Sequence, residues 1–222
     1  MLVKRKDRIL LTRSIEANEK LKKQLANKNL EILECNLIEY KLLPFDIETI
    51  KKYSGLVITS NFVAHNLPIA PYKEIQIYVV GTESAGILLE KKYNIKYCAP
   101  NATILKSKLL NISEKLLYLS GNHITIDMPD YVDRFIYYEV IYLKSLTKIQ
   151  KAKFNQGFNY ILVYSENCAK TLLKLFKDND LINSLVNSTI VAISSKVGLV
   201  FKDSCRNIII ANNAENMLRN LE

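Results

Sequence analysis

The run Phe135-Ile136-Tyr137-Tyr138-Glu139-Val140-Ile141-Tyr142-Leu143-Lys144 constrains the fold of this chain more than any other segment. It lacks glycine and proline and is dense in aromatic and β-branched residues, which predicts one long strand rather than a helix. At about 3.3 Å per residue it spans roughly 33 Å, more than a small domain needs inside its own sheet. A run of similar character, Glu34-Cys35-Asn36-Leu37-Ile38-Glu39-Tyr40-Lys41-Leu42, lies well before it. The residues between the two runs have the pattern of a complete α/β unit, and the chain ends have the pattern of another. The expectation is a chain that crosses between two domains twice. Residues 34–42 and 135–144 are then the connector strands, 1–36 with 145–222 the discontinuous first domain, and 41–137 the second.

Elsewhere short apolar runs alternate with helical patterns. Ile9–Thr12 is a buried-type strand, followed by Ser14 as a helix N-cap with Ala17, Leu21 and Leu25 at helical spacing. Leu30–Leu33 is expected to run straight into the first connector. In the middle of the chain, strands are expected at Leu56–Thr59, Ile75–Val80, Ile95–Ala99 and Leu116–Leu119, with Asp46 capping a short helix through Ile50. A further short helix is expected around Asp130–Arg134, ahead of the long strand. Towards the end, Tyr160–Tyr164, Thr189–Ile193 and Asn207–Ala211 are strands, and Asn213 caps the last helix. Such alternation gives parallel sheets with right-handed crossovers. An internal repeat accompanies it. Ser60 and Ala64 match Ser165 and Ala169, and Gly81-Thr82-Glu83-Ser84-Ala85 matches Ser194-Ser195-Lys196-Val197-Gly198, each directly after a strand. The fold class is therefore α/β: two similar parallel-sheet domains joined by a two-stranded connector.

Composition narrows the partners. With 31 Lys+Arg against 22 Asp+Glu the chain carries a formal charge of +9, which fits an anionic ligand or simply a solvated basic surface. Apart from Lys4-Arg5-Lys6 and Arg8 the basic residues are dispersed, and no aromatic-basic signature of RNA binding accompanies them. Cys35, Cys98, Cys168 and Cys205 form no CxxC pair, and His65 and His123 have no ligand spacing. No metal site or disulfide framework is expected. The chain shows no signal-peptide h-region and no apolar run of membrane-spanning length, so the expectation is a cytoplasmic protein without a membrane partner.

No nucleophile–base pair, P-loop or GxGxxG is present. Four equivalent turns remain: Thr59-Ser60-Asn61, Gly81-Thr82-Glu83-Ser84, Ser165-Glu166-Asn167 and Ser194-Ser195-Lys196. Each sets small polar side chains and free backbone N–H groups at a helix N-terminus, where carboxylates and phosphates bind. All lie at the carboxyl ends of parallel strands, where open α/β sheets take ligands. Either they cap helices and nothing more, or they line a polyanion-binding cleft between facing domains.

The ordered segments Ile9-Leu10-Leu11-Thr12-Arg13, Ile58-Thr59-Ser60, Val80-Gly81-(x)2-Ser84-Ala85, Val140-Ile141-Tyr142, Tyr164-Ser165 and Ala192-Ile193-Ser194 resemble those of uroporphyrinogen-III synthases. The ending Ala211-(x)3-Glu215-Asn216-Met217-Leu218 is similar as well. The resemblance implies a cofactor-free, monomeric enzyme of tetrapyrrole biosynthesis that acts on hydroxymethylbilane, a linear tetrapyrrole bearing acetate and propionate groups. Such an enzyme expels the terminal hydroxyl as water, inverts the last pyrrole ring through a spiro intermediate and closes the macrocycle.

By the same resemblance, Tyr142 is the candidate catalytic residue, a phenol that donates a hydrogen bond or proton to the departing hydroxyl. Its other reading is packing on the connector beside Tyr137 and Tyr138. Arg13 is either a substrate contact or a surface residue. Three departures stand out. The family's Arg-Pro is Arg13-Ser14, its Arg-Gly is Ser120-Gly121, and its second Gly-(x)2-Thr-Ala is Ser194-(x)2-Val197-Gly198. The second of these removes a basic contact after the Leu116–Leu119 strand. The rival functions are a non-catalytic module for a small polyanion and, last, nucleic-acid binding, which a steep salt dependence would reveal.

Overall fold

The computed structural model describes residues 6–72 and 74–221; Lys4 and Arg5 of the basic start lie outside them. The chain divides into two units, Met1–Glu39 with Ile141–Glu222, and Tyr40–Val140.

The first unit is built on a five-stranded sheet with the order β11-β10-β9-β1-β2. Its strands are β1 (Asp7–Leu11), β2 (Leu30–Glu34), β9 (Tyr160–Val163), β10 (Thr189–Ala192) and β11 (Asn207–Ile210). All four pairings are parallel. Helices α1 (Ile15–Leu25), α5 (Lys148–Phe154), α6 (Glu166–Lys177), α7 (Ile182–Val186), α8 (Ser195–Gly198) and α9 (Ala214–Arg219) complete it. Because both faces of a parallel sheet are covered, its strands are apolar throughout, and Ile9, Leu10 and Leu11 are wholly buried. Leu10, Ile161 and Ile190 pack on one face with Leu172 and Phe176 of α6, while Ile9, Leu11, Leu162 and Val191 pack on the other with Leu21, Leu25 and Met217.

The second unit carries β4 (Gly55–Ile58), β5 (Gln76–Val80), β6 (Asn94–Ala99), β7 (Leu116–Gly121) and most of β8 (Asp133–Tyr142), with β3 (Ile38–Leu42) at the edge in the order β3-β8-β7-β4-β5-β6. From β8 to β6 every pairing is parallel. The hydrogen bonds Leu143 N to Leu37 O and Leu43 N to Tyr137 O make β3 antiparallel to β8. Around the sheet stand α2 (Asn61–Asn66), α3 (Thr82–Glu90), α4 (Ala102–Leu109) and a 3-10 helix, Ile47–Lys52, capped by Asp46 as its sequence predicts.

Two expectations change. The first connector is not continuous from Glu34, because β2 ends there and Cys35-Asn36-Leu37 intervenes before β3. Cys35 and Leu37 are fully buried in that loop, so their apolar character reports core packing rather than a strand. Nor is Asp130–Arg134 helical. A turn precedes β8, which starts at Asp133 and, with its register shift near Ser120/Gly121, already pairs Tyr118 with Arg134. The chain passes from the first unit to the second within β3 and returns within β8.

Among the described residues no helix is long and apolar enough to cross a membrane, and no group of His, Cys, Asp or Glu is placed to hold a metal.

Candidate functional site

Strand order fixes where each sheet takes ligands. In the first unit the chain winds outward from β1 to β2 on one side and from β9 through β10 to β11 on the other, so the order reverses between β1 and β9. In the second it reverses between β4 and β7. At such a switch point the two following loops diverge, leaving a crevice at the carboxyl ends of the strands. The turns at Arg13 and Ser165 flank one reversal; the turn at Thr59-Ser60-Asn61 and the end of β7 at Ser120-Gly121 flank the other.

In the second unit these residues form a linked polar array. The hydroxyls of Thr59 and Tyr118 lie 2.7 Å apart. The Ser60 Oγ accepts from the Phe62 N–H at 3.2 Å, capping α2, and from the Tyr138 hydroxyl at 3.1 Å. Asn61 donates to the Glu83 carboxylate at 2.6 Å and accepts from Ser84, whose side chain is buried, so the starts of α2 and α3 are tied together. Gly81 precedes α3 with φ +86°, a left-handed backbone that favours glycine, and makes no side-chain cap. Thr82 is exposed at the start of α3. Ser120 is buried, and Gly121 lies so close to Tyr138 that a Cβ there would stand 2.7 Å from its ring.

In the first unit the Arg13 guanidinium lies over the Tyr164 ring, 4.7 Å from its centre, while Asn18 holds the Arg13 backbone through a hydrogen bond to its N–H. Burial raises the Tyr164 phenol to about 12, with the Arg13 charge acting in the opposite direction. Ser165 caps α6 by accepting from the Cys168 N–H at 3.2 Å. Glu166 pairs with Lys170 at 2.6 Å and with Lys196 at 2.7 Å, and these hydrogen bonds hold its carboxyl down at about 2. Asn167 and Ser195 are exposed. Ser194 precedes the one-turn helix α8 without a side-chain cap, so the fourth turn lacks the geometry its sequence suggests.

The structure thus gathers Thr59, Ser60, Ser120 and Gly121 around one reversal and Arg13, Ser165 and Glu166 around the other. Gly81 and Ser194 each stand one strand away, after β5 and β10. Tyr142 is the last residue of β8, half-buried against the first unit's core. Three side chains missing from the sequence-derived site occur here: Tyr118, Tyr138 and Arg134. The Arg134 Nε donates to Ser120 Oγ at 2.8 Å, and its Nη2 to the carbonyls of Gly121 and Asn122 at 2.7 and 3.2 Å. A guanidinium therefore does stand at the turn where sequence predicts none.

A separate cavity of about 490 Å³ opens at the amino ends of β1 and β9, lined by Arg8, Gln156 and Asn159 among others. There the buried Arg8 guanidinium donates to the Gly157 and Lys153 carbonyls and pairs with Glu31 at 3.2 Å. These contacts make it a brace for the loop after α5.

Fold and turns together define the class: a two-unit parallel α/β protein with polar, helix-capping turns at both switch points. The model of the family described as "HEM4: Uroporphyrinogen-III synthase HemD" matches residues 19–216, and the chain belongs to this uroporphyrinogen-III synthase family. An uncharacterized protein, RP474, of Rickettsia prowazekii (strain Madrid E) is 30% identical over 254 aligned positions, covering 92% of this chain and 93% of the relative. Among solved structures, uroporphyrinogen-III synthetase from Helicobacter pylori 26695 superposes with a TM-score of 0.64 at 16% identity, covering 98% of both chains. A mutant uroporphyrinogen III synthase from the extremely thermophilic bacterium Thermus thermophilus gives 0.55 at 10% identity and 97% of both. At these identities the structural likeness speaks for the fold.

Proposed function

We propose that this protein catalyses the uroporphyrinogen-III synthase reaction: it cyclises hydroxymethylbilane with inversion of ring D and loss of water, as a cytoplasmic, monomeric lyase of tetrapyrrole (heme) biosynthesis without a cofactor. The family match across residues 19–216 carries the proposal. The geometry agrees with it. The substrate is a polycarboxylate, and backbone N–H groups are offered at the starts of α2 and α6, at the switch points, and of α3, one strand away, with Arg13 beside Tyr164.

The chemistry asks little of any single side chain. Protonation of the terminal hydroxyl releases water and leaves an electrophilic azafulvene carbon. Attack by the substituted position of ring D gives the spiro intermediate, whose rearrangement inverts that ring before closure. In this proposal Tyr142 donates to the departing hydroxyl. Arg13, Thr59, Ser60, Asn61, Gly81, Thr82, Ser84, Ser120, Gly121, Ser165, Asn167, Ser194 and Ser195 hold carboxylates or order the turns that do. Glu166 is an anion itself and acts by holding Lys196 in place. Positioning the chain ends and excluding water then favour the inverted product over direct closure.

The test separates product isomers. Hydroxymethylbilane closes unaided to the type I macrocycle, so enrichment of type III by the protein supports the proposal. Type I alone, from protein shown to be folded, would leave a polyanion-binding module.

A further inference from the structure

We infer that Arg134 is a substrate-carboxylate contact of the second unit, oriented by Ser120 and the Gly121 and Asn122 carbonyls. This rests on the cyclase reading above for the identity of the ligand, and on geometry for the site itself. Nε and Nη2 are used by three acceptors at the end of β7. Among the described residues no hydrogen bond occupies Nη1 and no carboxylate lies within ion-pair distance of the guanidinium, although the side chain is exposed. Asp133, the neighbouring acid, is engaged elsewhere, by Lys115 at 3.6 Å and the Tyr53 hydroxyl at 3.0 Å. The result is a guanidinium fixed in direction but unneutralised in charge. An arginine used only as a brace would have its charge paired, as Arg8 has with Glu31 at 3.2 Å.

Position adds to the argument. Arg134 pairs in register with Tyr118, whose hydroxyl meets Thr59 across the β4–β7 reversal. From β8, its guanidinium reaches the carboxyl end of β7, the strand that borders that reversal. Tyr138, the first paired residue past the local register shift, packs on Gly121 and donates to Ser60. A guanidinium held in one direction at the carboxyl end of a parallel strand is a group that recognises carboxylate. Fixing Nε and Nη2 beforehand lowers the entropy lost when Nη1 meets a ligand.

Two measurements separate this inference from the cyclase reading. The wild-type isomer assay tests the reading alone. The Arg134 contact is tested by titrating wild type, Arg134→Gln and Arg134→Lys with uroporphyrin I, an octacarboxylate followed by its own fluorescence anisotropy. Arg134→Gln is expected to weaken binding about tenfold. Arg134→Lys, which keeps the charge and loses the fork, should fall between it and wild type. Lys96→Gln, which removes the same charge from the exposed edge of β6, should bind as wild type does. If wild type forms type III, Arg134→Gln should also raise KM by a similar factor with kcat little changed. Equal affinity in wild type and Arg134→Gln overturns the inference whether or not the protein is a cyclase. So does an equal loss in Lys96→Gln, which would show only the effect of net charge. Should Arg134→Gln fail to fold, Arg134→Lys and Ser120→Ala carry the test, and wild-type affinity in both overturns it.

Discussion

The hydroxyl oxygens of Thr59 and Tyr118 lie 2.7 Å apart and join the turn after β4 to the middle of β7. Burial pushes the Tyr118 phenol above its ordinary range, while the hydrogen bond with Thr59 acts against that rise. The phenol therefore stays protonated through neutral pH, and the contact pins one side of the second unit's switch point. A double-mutant cycle with Thr59→Val and Tyr118→Phe should give a coupling of about 0.5–1.5 kcal/mol by denaturant titration. Strictly additive losses would mean that the two hydroxyls prefer other partners in solution.

Two glycines should differ in cost for a stated reason. A Cβ on Gly55 would stand 2.7 Å from the Gln76 carbonyl oxygen, part of the adjoining strand. On Gly121 it would stand 2.7 Å from the Tyr138 ring, a side chain able to yield. Gly121→Ala is expected to cost about 1–3 kcal/mol and Gly55→Ala more. In a Tyr138→Ala background the Gly121→Ala cost should largely vanish, as unfolding midpoints would show. An unchanged cost there would place the strain elsewhere.

The Glu166 pairs give a pH dependence whose sign follows from their direction. Hydrogen bonds from Lys170 and then Lys196 hold the folded carboxyl at about 2, against an ordinary value of 4.5. A lowered folded value stabilises the fold above the unfolded value, and that contribution is lost as pH falls from about 4.5 towards 2. Lys196→Met should raise the Glu166 value, read by carbon-13 NMR of the labelled carboxyl, and reduce the acid loss over that window. A titration identical to wild type would show that the exposed pair with Lys196 does not persist in solution.

How much of this was legible without coordinates depended on how local the cause was. The long strand stood out because ten positions without a breaker leave few alternatives, and β8 falls within two residues of its expected limits. The caps at Ser14, Ser60, Ser165 and Asn213 follow one rule, a short polar side chain closing on an N–H two or three residues ahead. Helix α5 falls in a stretch with no element expected from the sequence, although Thr147 and Gln150 spell a capping box. The misplaced start of the first connector had a different origin: Cys35 and Leu37 are buried by distant residues, and apolar character alone cannot separate that from a strand. Arg134 was out of reach altogether. Its meeting with Ser120 depends on parallel pairing of β7 with β8 and on a side chain long enough to bridge positions fourteen apart in sequence.

The most direct measurement is the ratio of type III to type I product when hydroxymethylbilane is mixed with increasing amounts of the folded protein. Catalysis predicts a type III fraction that rises with protein concentration until unaided closure is outrun, and a rate that saturates with substrate. A type I product at every concentration, from protein that still binds the octacarboxylate probe, would contradict the synthase assignment.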